Sequence, residues 1–276
     1  MNAFEPSVHA LQAQPLQGAL LCVLGLELAF GGVRALSDVT FDVHRGEMFA
    51  VIGPNGAGKS SIFNCLSGLY VPQSGSAQLG GVELLGRPPT HGVAHGLARM
   101  FQNLGLFDAA DVETNLMLGR HPLMKTSFAA AACWFGRARR EELEHRERVH
   151  ELIDLLGLQG ATNRPVGLLP YGTRKLVELG RALAMEPAVL LMDEPVAGMN
   201  REERDQMAET ISTIRERLGT TILLVEHDIG FVLDLADRVM VLEFGKVICV
   251  GKPATVAADR RVIDAYLGHA AEAALA

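Results

Sequence analysis

The sequence predicts an α/β protein built on a mainly parallel sheet with helices on both faces. Three observations predict it. Short, almost wholly apolar runs at 189–192 and 221–225 alternate with helical patterns, and strands apolar along their whole length belong to sheets covered on both faces. The stretch Gly53-Pro-Asn-Gly-Ala-Gly58-Lys59-Ser60 fits G-x-x-x-x-G-K-[ST] at each fixed position, between an apolar strand at 48–52 and a helical pattern. The 276 residues, 49% of them hydrophobic and 21% charged, suffice for a large core and exclude an intrinsically disordered chain.

In order along the chain, residues 1–18 lack periodicity and read as a tail. Strands at 20–30, 39–43 and 48–52 are joined by the turn signals Gly31-Gly32 and Arg45-Gly46. The helix after Gly58 carries Ile62, Phe63 and Leu66 on one face, and a strand region at 77–85 is broken by Gly80-Gly81. The middle, 112–185, is helical in pattern. Leu152, Ile153, Leu155 and Leu156 end one amphipathic helix with Gly157 as its stop, and Leu176, Leu179 and Leu183 mark the next. Met207, Ile211, Ile214 and Leu218 place a helix between the two apolar strands. Runs at 239–244 and 247–250 form a hairpin about Gly245-Lys246. The expected organisation is a single domain at 19–268 with a helical subdomain at about 112–185, and a C-terminal tail at 269–276.

Charge and cysteine usage narrow the function. A formal net charge of −7 argues against a nucleic-acid groove, which needs clustered Lys and Arg. The densest charge run, 137–148, mixes Arg with Glu and reads as a solvated helix face with i,i+4 pairs. Cys22, Cys65, Cys133 and Cys249 form no C-x-x-C pair, which suits a reducing compartment and supports neither zinc nor a disulfide framework. A spanning helix needs about 20 mainly apolar residues, and the longest candidates, 128–135 and 19–24, fall short. Residues 1–18 lack the basic start and apolar stretch of a signal peptide. The segment 128–135, which holds Trp134, is either local core or an apolar contact surface.

The glycine-rich motif is a phosphate loop. Its glycines let successive backbone N–H groups converge on an anion, and the following helix adds favourable potential there. Lys59 supplies charge for the β- and γ-phosphates, and the Ser60 hydroxyl suits magnesium. The strand at 189–192 ends in Asp193 and Glu194. Asp193 is the candidate magnesium carboxylate, while Glu194, pointing elsewhere, could polarise a water.

Four further stretches stand in a telling order: Arg99-Met-Phe-Gln-Asn with Gln102, Leu169-Pro-Tyr-Gly-Thr173, Ala197-Gly-Met-Asn200 and Glu226-His227-Asp228. From about Leu20 to Gly268 the chain resembles the ATP-binding subunit of an ABC transporter. Residues 53–68, 101–107, 193–200 and 263–268 are similar to one of the two ATPase subunits of bacterial branched-chain amino-acid importers. The resemblance implies the ABC ATPase form of the P-loop NTPase fold: a mainly parallel core sheet, an N-terminal antiparallel β subdomain and an inserted α-helical subdomain. It implies ATP and Mg2+ as cofactors, with ATP held by Phe30 against adenine and by Gly53, Pro54, Asn55, Gly56, Ala57, Gly58, Lys59, Ser60 and Ser61. Ser60, Gln102 and Asp193 are the implied magnesium residues. Glu194, His227, Lys59 and Gln102 are the implied catalytic set, with His227 on the γ-phosphate.

Leu169, Pro170, Tyr171, Gly172 and Thr173 stand where the family's LSGGQ signature completes the partner subunit's ATP site. Pro170 replaces its Ser and Thr173 its Gln, so the site that this loop completes is expected to be the weaker of two. Asn200 replaces an Asp common in the superfamily. Implied partners are a second ATP-binding subunit in a heterodimer, two transmembrane permease subunits, and a periplasmic or lipid-anchored binding protein. No nucleic acid is expected. The implied place is the cytoplasmic face of the inner membrane. Related importers carry urea, amides or aromatic acids with similar subunits. An ABC-type ATPase acting on nucleic acid would carry two cassettes, a long coiled coil or basic arms. A P-loop kinase has no need of Gln102, the loop at 169–173 and His227 in that order.

Overall fold

The computed structural model describes residues 18–100, 105–124 and 137–273. The chain opens with β1 (Ala19–Phe30), β2 (Val33–His44), β3 (Met48–Ile52) and α1 (Lys59–Leu66). Next come β4 (Ser74–Leu79), β5 (Val82–Glu83), α2 (Pro89–Ala94) and β6 (Leu97–Met100). A helical block holds α3 (Val112–Arg120), α4 (Arg137–Leu155) and α5 (Tyr171–Leu183). Alternation then resumes with β7 (Val189–Asp193), α6 (Arg201–Leu218), β8 (Thr221–Val225) and α7 (Ile229–Leu235). The chain closes with β9 (Arg238–Glu243), β10 (Lys246–Gly251), α8 (Pro253–Ala257) and α9 (Arg260–Ala273).

Two sheets result. The core sheet runs β10-β9-β3-β8-β7-β6, with β3, β6, β7, β8 and β9 paired in parallel and β10 added antiparallel at one edge. The second is antiparallel, in the order β2-β1-β4-β5. Every residue of β3, β7 and β8 is buried because side chains alternate between two cores. Met48, Ala50, Ile52, Leu190, Met192, Ile222 and Leu224 join the core on the helical-block side. Phe49, Val51, Val189, Leu191, Leu223 and Val225 join the core shared with α1 and the antiparallel sheet. An unbroken apolar run is therefore what a strand between two cores requires.

The helical block packs through its own apolar stripe: Val112 and Leu116 of α3, Val149, Leu152 and Ile153 of α4, and Val177 and Leu179 of α5 lie in one cluster with the core. Two boundaries differ from the sequence expectation. Helix α5 starts at Tyr171, ahead of the stripe that begins at Leu176, so most of the signature segment is its first turn. Helix α9 continues to Ala273, past the expected domain end at Gly268. Helix α6 begins at a capping box: Asn200 accepts the Glu203 amide at 3.0 Å while the Glu203 carboxylate accepts the Asn200 amide at 3.0 Å. Asn200 thus has a local structural role that an Asp would fill equally well.

Candidate active site

The phosphate loop lies between the end of β3 and the start of α1, at the C-terminal edge of the parallel strands, where sheets of this kind bind ligands. Two glycines are required by close approach. A Cβ on Gly53 would stand 2.1 Å from the Leu242 carbonyl oxygen, and one on Gly58 2.6 Å from that of Ala35. Both adopt positive φ, 154° and 104°. The loop is braced by the β9–β10 turn, where the Gly245 amide donates to the Ala57 carbonyl at 3.0 Å. The result is a cradle of backbone amides that fits phosphate.

Lys59, the first residue of α1, is buried and donates from Nζ to the carbonyls of Gly53 at 2.6 Å and Pro54 at 3.0 Å. Burial pulls its ammonium below the usual lysine range, and the charges of Glu194, Asp193 and Glu226 pull it back. Those three carboxylates come from the ends of β7 and β8, so the fold gathers residues more than a hundred positions apart around one cation. Ser60 and Asp193 offer a hydroxyl and a carboxylate, the hard oxygen donors magnesium prefers. Asp193 is buried, and its Oδ2 accepts from Arg99 Nη2 at 2.8 Å. Arg99 also donates to Asn64 Oδ1 at 2.8 Å and lies 5.6 Å from the Phe63 ring centre.

Glu194 follows at φ 48°, a left-handed conformation uncommon for a residue with a side chain. Its amide donates to the Val225 carbonyl at 2.9 Å. Such backbone strain clusters at functional sites. His227 Nδ1 lies 3.8 Å from Glu194 Oε1 and 3.5 Å from Glu226 Oε2, and its ring is more than half exposed. Gln102, and the segment 128–135 with Trp134, fall outside the described residues.

Phe30 stands at the end of β1 with half its surface open. Tyr70 forms a T-shaped pair with it, ring centres 5.1 Å apart at 77°. The signature segment is built differently. Pro170 takes the N-cap of α5 with no side-chain acceptor. Tyr171 hydroxyl donates to the Ala197 carbonyl at 3.2 Å, tying this segment to the loop that carries Asn200. Gly172 packs against the Glu203 carboxylate, and Leu169 is buried in the core. The first-turn amides of Tyr171, Gly172 and Thr173 are left as donors without an acceptor inside the helix.

Sequence reasoning passed over four residues. Arg99 and Glu226 were legible only as charges at the ends of apolar strands, a placement that itself signals a partner. Tyr70 has no local signal. Tyr266 of α9 is the fourth: burial pushes its phenol up to about 12, with the Gly53 backbone opposing the shift.

The comparisons agree with this geometry. The family model described as ABC transporter matches residues 36–197, and a second, described as branched-chain amino acid ATP-binding cassette transporter, matches residues 246–272. The chain belongs to the ATP-binding cassette family of ABC transporters. It is 36% identical over 251 residues to the high-affinity branched-chain amino acid transport ATP-binding protein BraF of Pseudomonas aeruginosa, covering 91% of this chain and 98% of that one. Identity and coverage are the same with the protein LivG of Escherichia coli, which carries the same description. Among solved structures, the ADP conformation of MJ1267, an ATP-binding cassette of an ABC transporter, superposes with a TM-score of 0.79 at 28% identity, covering 91% of this chain and 99% of that one. The protein is therefore a nucleotide-binding, ATP-hydrolysing transporter subunit. Such subunits are peripheral to the membrane, and among the described residues no helix is long and apolar enough to cross one.

Proposed function

We propose that this chain drives an importer for branched-chain or related hydrophobic amino acids, acting from the cytoplasmic face of the inner membrane. The observation that carries the cargo class is the C-terminal match at 246–272, supported by similarity along nearly the full length of BraF and LivG. The proposed partners are a second ATP-binding subunit in a heterodimer, two transmembrane permease subunits and a periplasmic or lipid-anchored binding protein.

The proposed chemistry follows from what each side chain can reach. The amides of Gly53 to Ser61 cradle the phosphates, Lys59 sets its charge against the β- and γ-oxygens, and Phe30 lies against adenine. Ser60 and Asp193 hold magnesium, with Gln102 assigned to the same task on the sequence resemblance alone. When bound, the ion neutralises charge on the phosphate oxygens. Glu194 takes the proton of the attacking water, and His227 donates a hydrogen bond to the γ-phosphate. The first turn of α5 presents its free amides to the nucleotide on the partner subunit. ATP drives transport only by binding the closed pair of subunits better than the open one.

The test is cargo-stimulated ATPase activity of the assembled importer in proteoliposomes. Leucine, isoleucine or valine is expected to stimulate turnover, while urea, amides and aromatic acids leave it at the basal level. Stimulation by one of the latter alone would overturn the cargo assignment.

A further inference from the structure

Glu226 is the first residue after β8 and belongs to neither the phosphate loop nor the carboxylate pair that ends β7. It is completely buried. Its Oε1 accepts the Val196 amide at 3.2 Å, and its Oε2 accepts the amides of His227 at 3.0 Å and Asp228 at 3.5 Å. Its own amide points to the Val51 carbonyl at 3.4 Å, two residues before the phosphate loop. One carboxylate therefore spans two segments just past the last ladder pair of β7 and β8, Asp193 with Val225, beyond the Glu194 amide bond to Val225: the one carrying Val196 and the one carrying His227. Three amide donors converge on it, and only an acceptor with two free oxygens can take them all. A buried carboxylate in such a place is costly unless each oxygen is bonded. An amide side chain of similar size would set an NH2 group against one of these donors, and an apolar one would leave all three without this acceptor.

We infer that Glu226 is a positioning residue that locks the His227 segment to the Glu194–Val196 segment, so that the histidine and the catalytic carboxylate keep one geometry. The inference rests on the proposed roles of Glu194 and His227. Glu226 itself touches no reacting atom and acts through its neighbours. The lock predicts a particular failure. In Glu226→Gln one oxygen remains, but an NH2 group replaces the other and faces backbone donors. In Glu226→Asp the charge remains, but the side chain is too short by one methylene to span both segments.

The experiment combines hydrogen exchange of the full-length chain with steady-state kinetics of the assembled transporter. In the native protein the amides of Val196 and His227 are expected to be protected to a similar degree. In Glu226→Gln and Glu226→Asp both segments are expected to exchange faster together, while kcat falls at least about tenfold and KM for ATP stays within about threefold. Equal damage in the Asp variant shows that reach, rather than charge, is what matters. The inference is overturned if the native Val196 amide exchanges as an unprotected amide, if only the His227 segment loosens in the variants, or if a folded variant keeps kcat within about twofold. The exchange arm is read without turnover, so an error in the catalytic assignments would surface in a Glu194→Gln assay instead.

Discussion

The phosphate loop and the signature segment both put backbone amides at the start of a helix, yet they are built on opposite plans. At the phosphate loop, Gly53 and Gly58 are pressed against neighbouring carbonyls, and Lys59 is buried with its ammonium on the Gly53 and Pro54 carbonyls. At the signature segment a proline occupies the cap of α5 and an aromatic side chain leans back onto the Ala197 carbonyl. Pro170 and Tyr171 are exposed beside the first-turn amides. On the proposed roles the first is a complete anion site, whereas the second is half of one, shaped by attachments to its own chain. The difference indicates which side of the ATP site tolerates sequence drift: a cradle made by close approach fixes its glycines, while amides at a helix end do not depend on the side chains beside them.

The largest expected effect tests the catalytic wall of the complete site. Glu194→Gln keeps the size of the side chain and removes its basicity, so turnover of the assembled transporter should fall about 10²- to 10⁴-fold with ATP affinity nearly unchanged. Turnover close to that of the native protein would move the base elsewhere and leave the left-handed Glu194 backbone without a purpose. A smaller effect is expected at the adenine end. Phe30→Ala removes one face of the stack and should weaken ATP binding to the isolated chain by about tenfold, the scale of one aromatic–base contact. Unchanged affinity would mean that Phe30 serves Tyr70 and the β1–β2 turn alone. The smallest effect belongs to the half site. Pro170→Ser with Thr173→Gln supplies a cap hydroxyl and a second donor, and should raise ATPase turnover of the paired subunits by a few fold, the worth of one ordinary net hydrogen bond of about 1 kcal/mol. No gain, or a loss, would mean that the present segment is already matched to its partner.

Much of this contrast could be read from the sequence, for reasons visible in particular residues. The strands 48–52, 189–192 and 221–225 are legible because burial between two cores selects apolar side chains at nearly every position. The phosphate loop was legible because each of its constraints, positive φ, close approach and a buried cation, selects a residue type. Long-range pairs were not legible. Arg99 meets Asp193 across ninety-four positions, and Phe30 meets Tyr70 because two turns come together. Neither pair leaves a local pattern. The early start of α5 leaves little trace in the sequence because Tyr-Gly-Thr has little helical signal, and Pro170, a residue favoured at a helix start, is its one local mark. The C-terminal reach of α9 was missed because its last residues lack an amphipathic stripe.

The central claim is that this chain binds ATP through the phosphate-loop side and offers the signature segment to another subunit. Titration of the isolated chain with ATP and magnesium tests it most directly, comparing the native protein with Lys59→Ala and with the Pro170→Ser/Thr173→Gln pair. The account predicts that Lys59→Ala weakens binding about 10- to 100-fold, the range for loss of a charged hydrogen-bonding partner, while the signature pair binds as the native chain does. Equal losses in the two variants, or a loss confined to the signature pair, would contradict it.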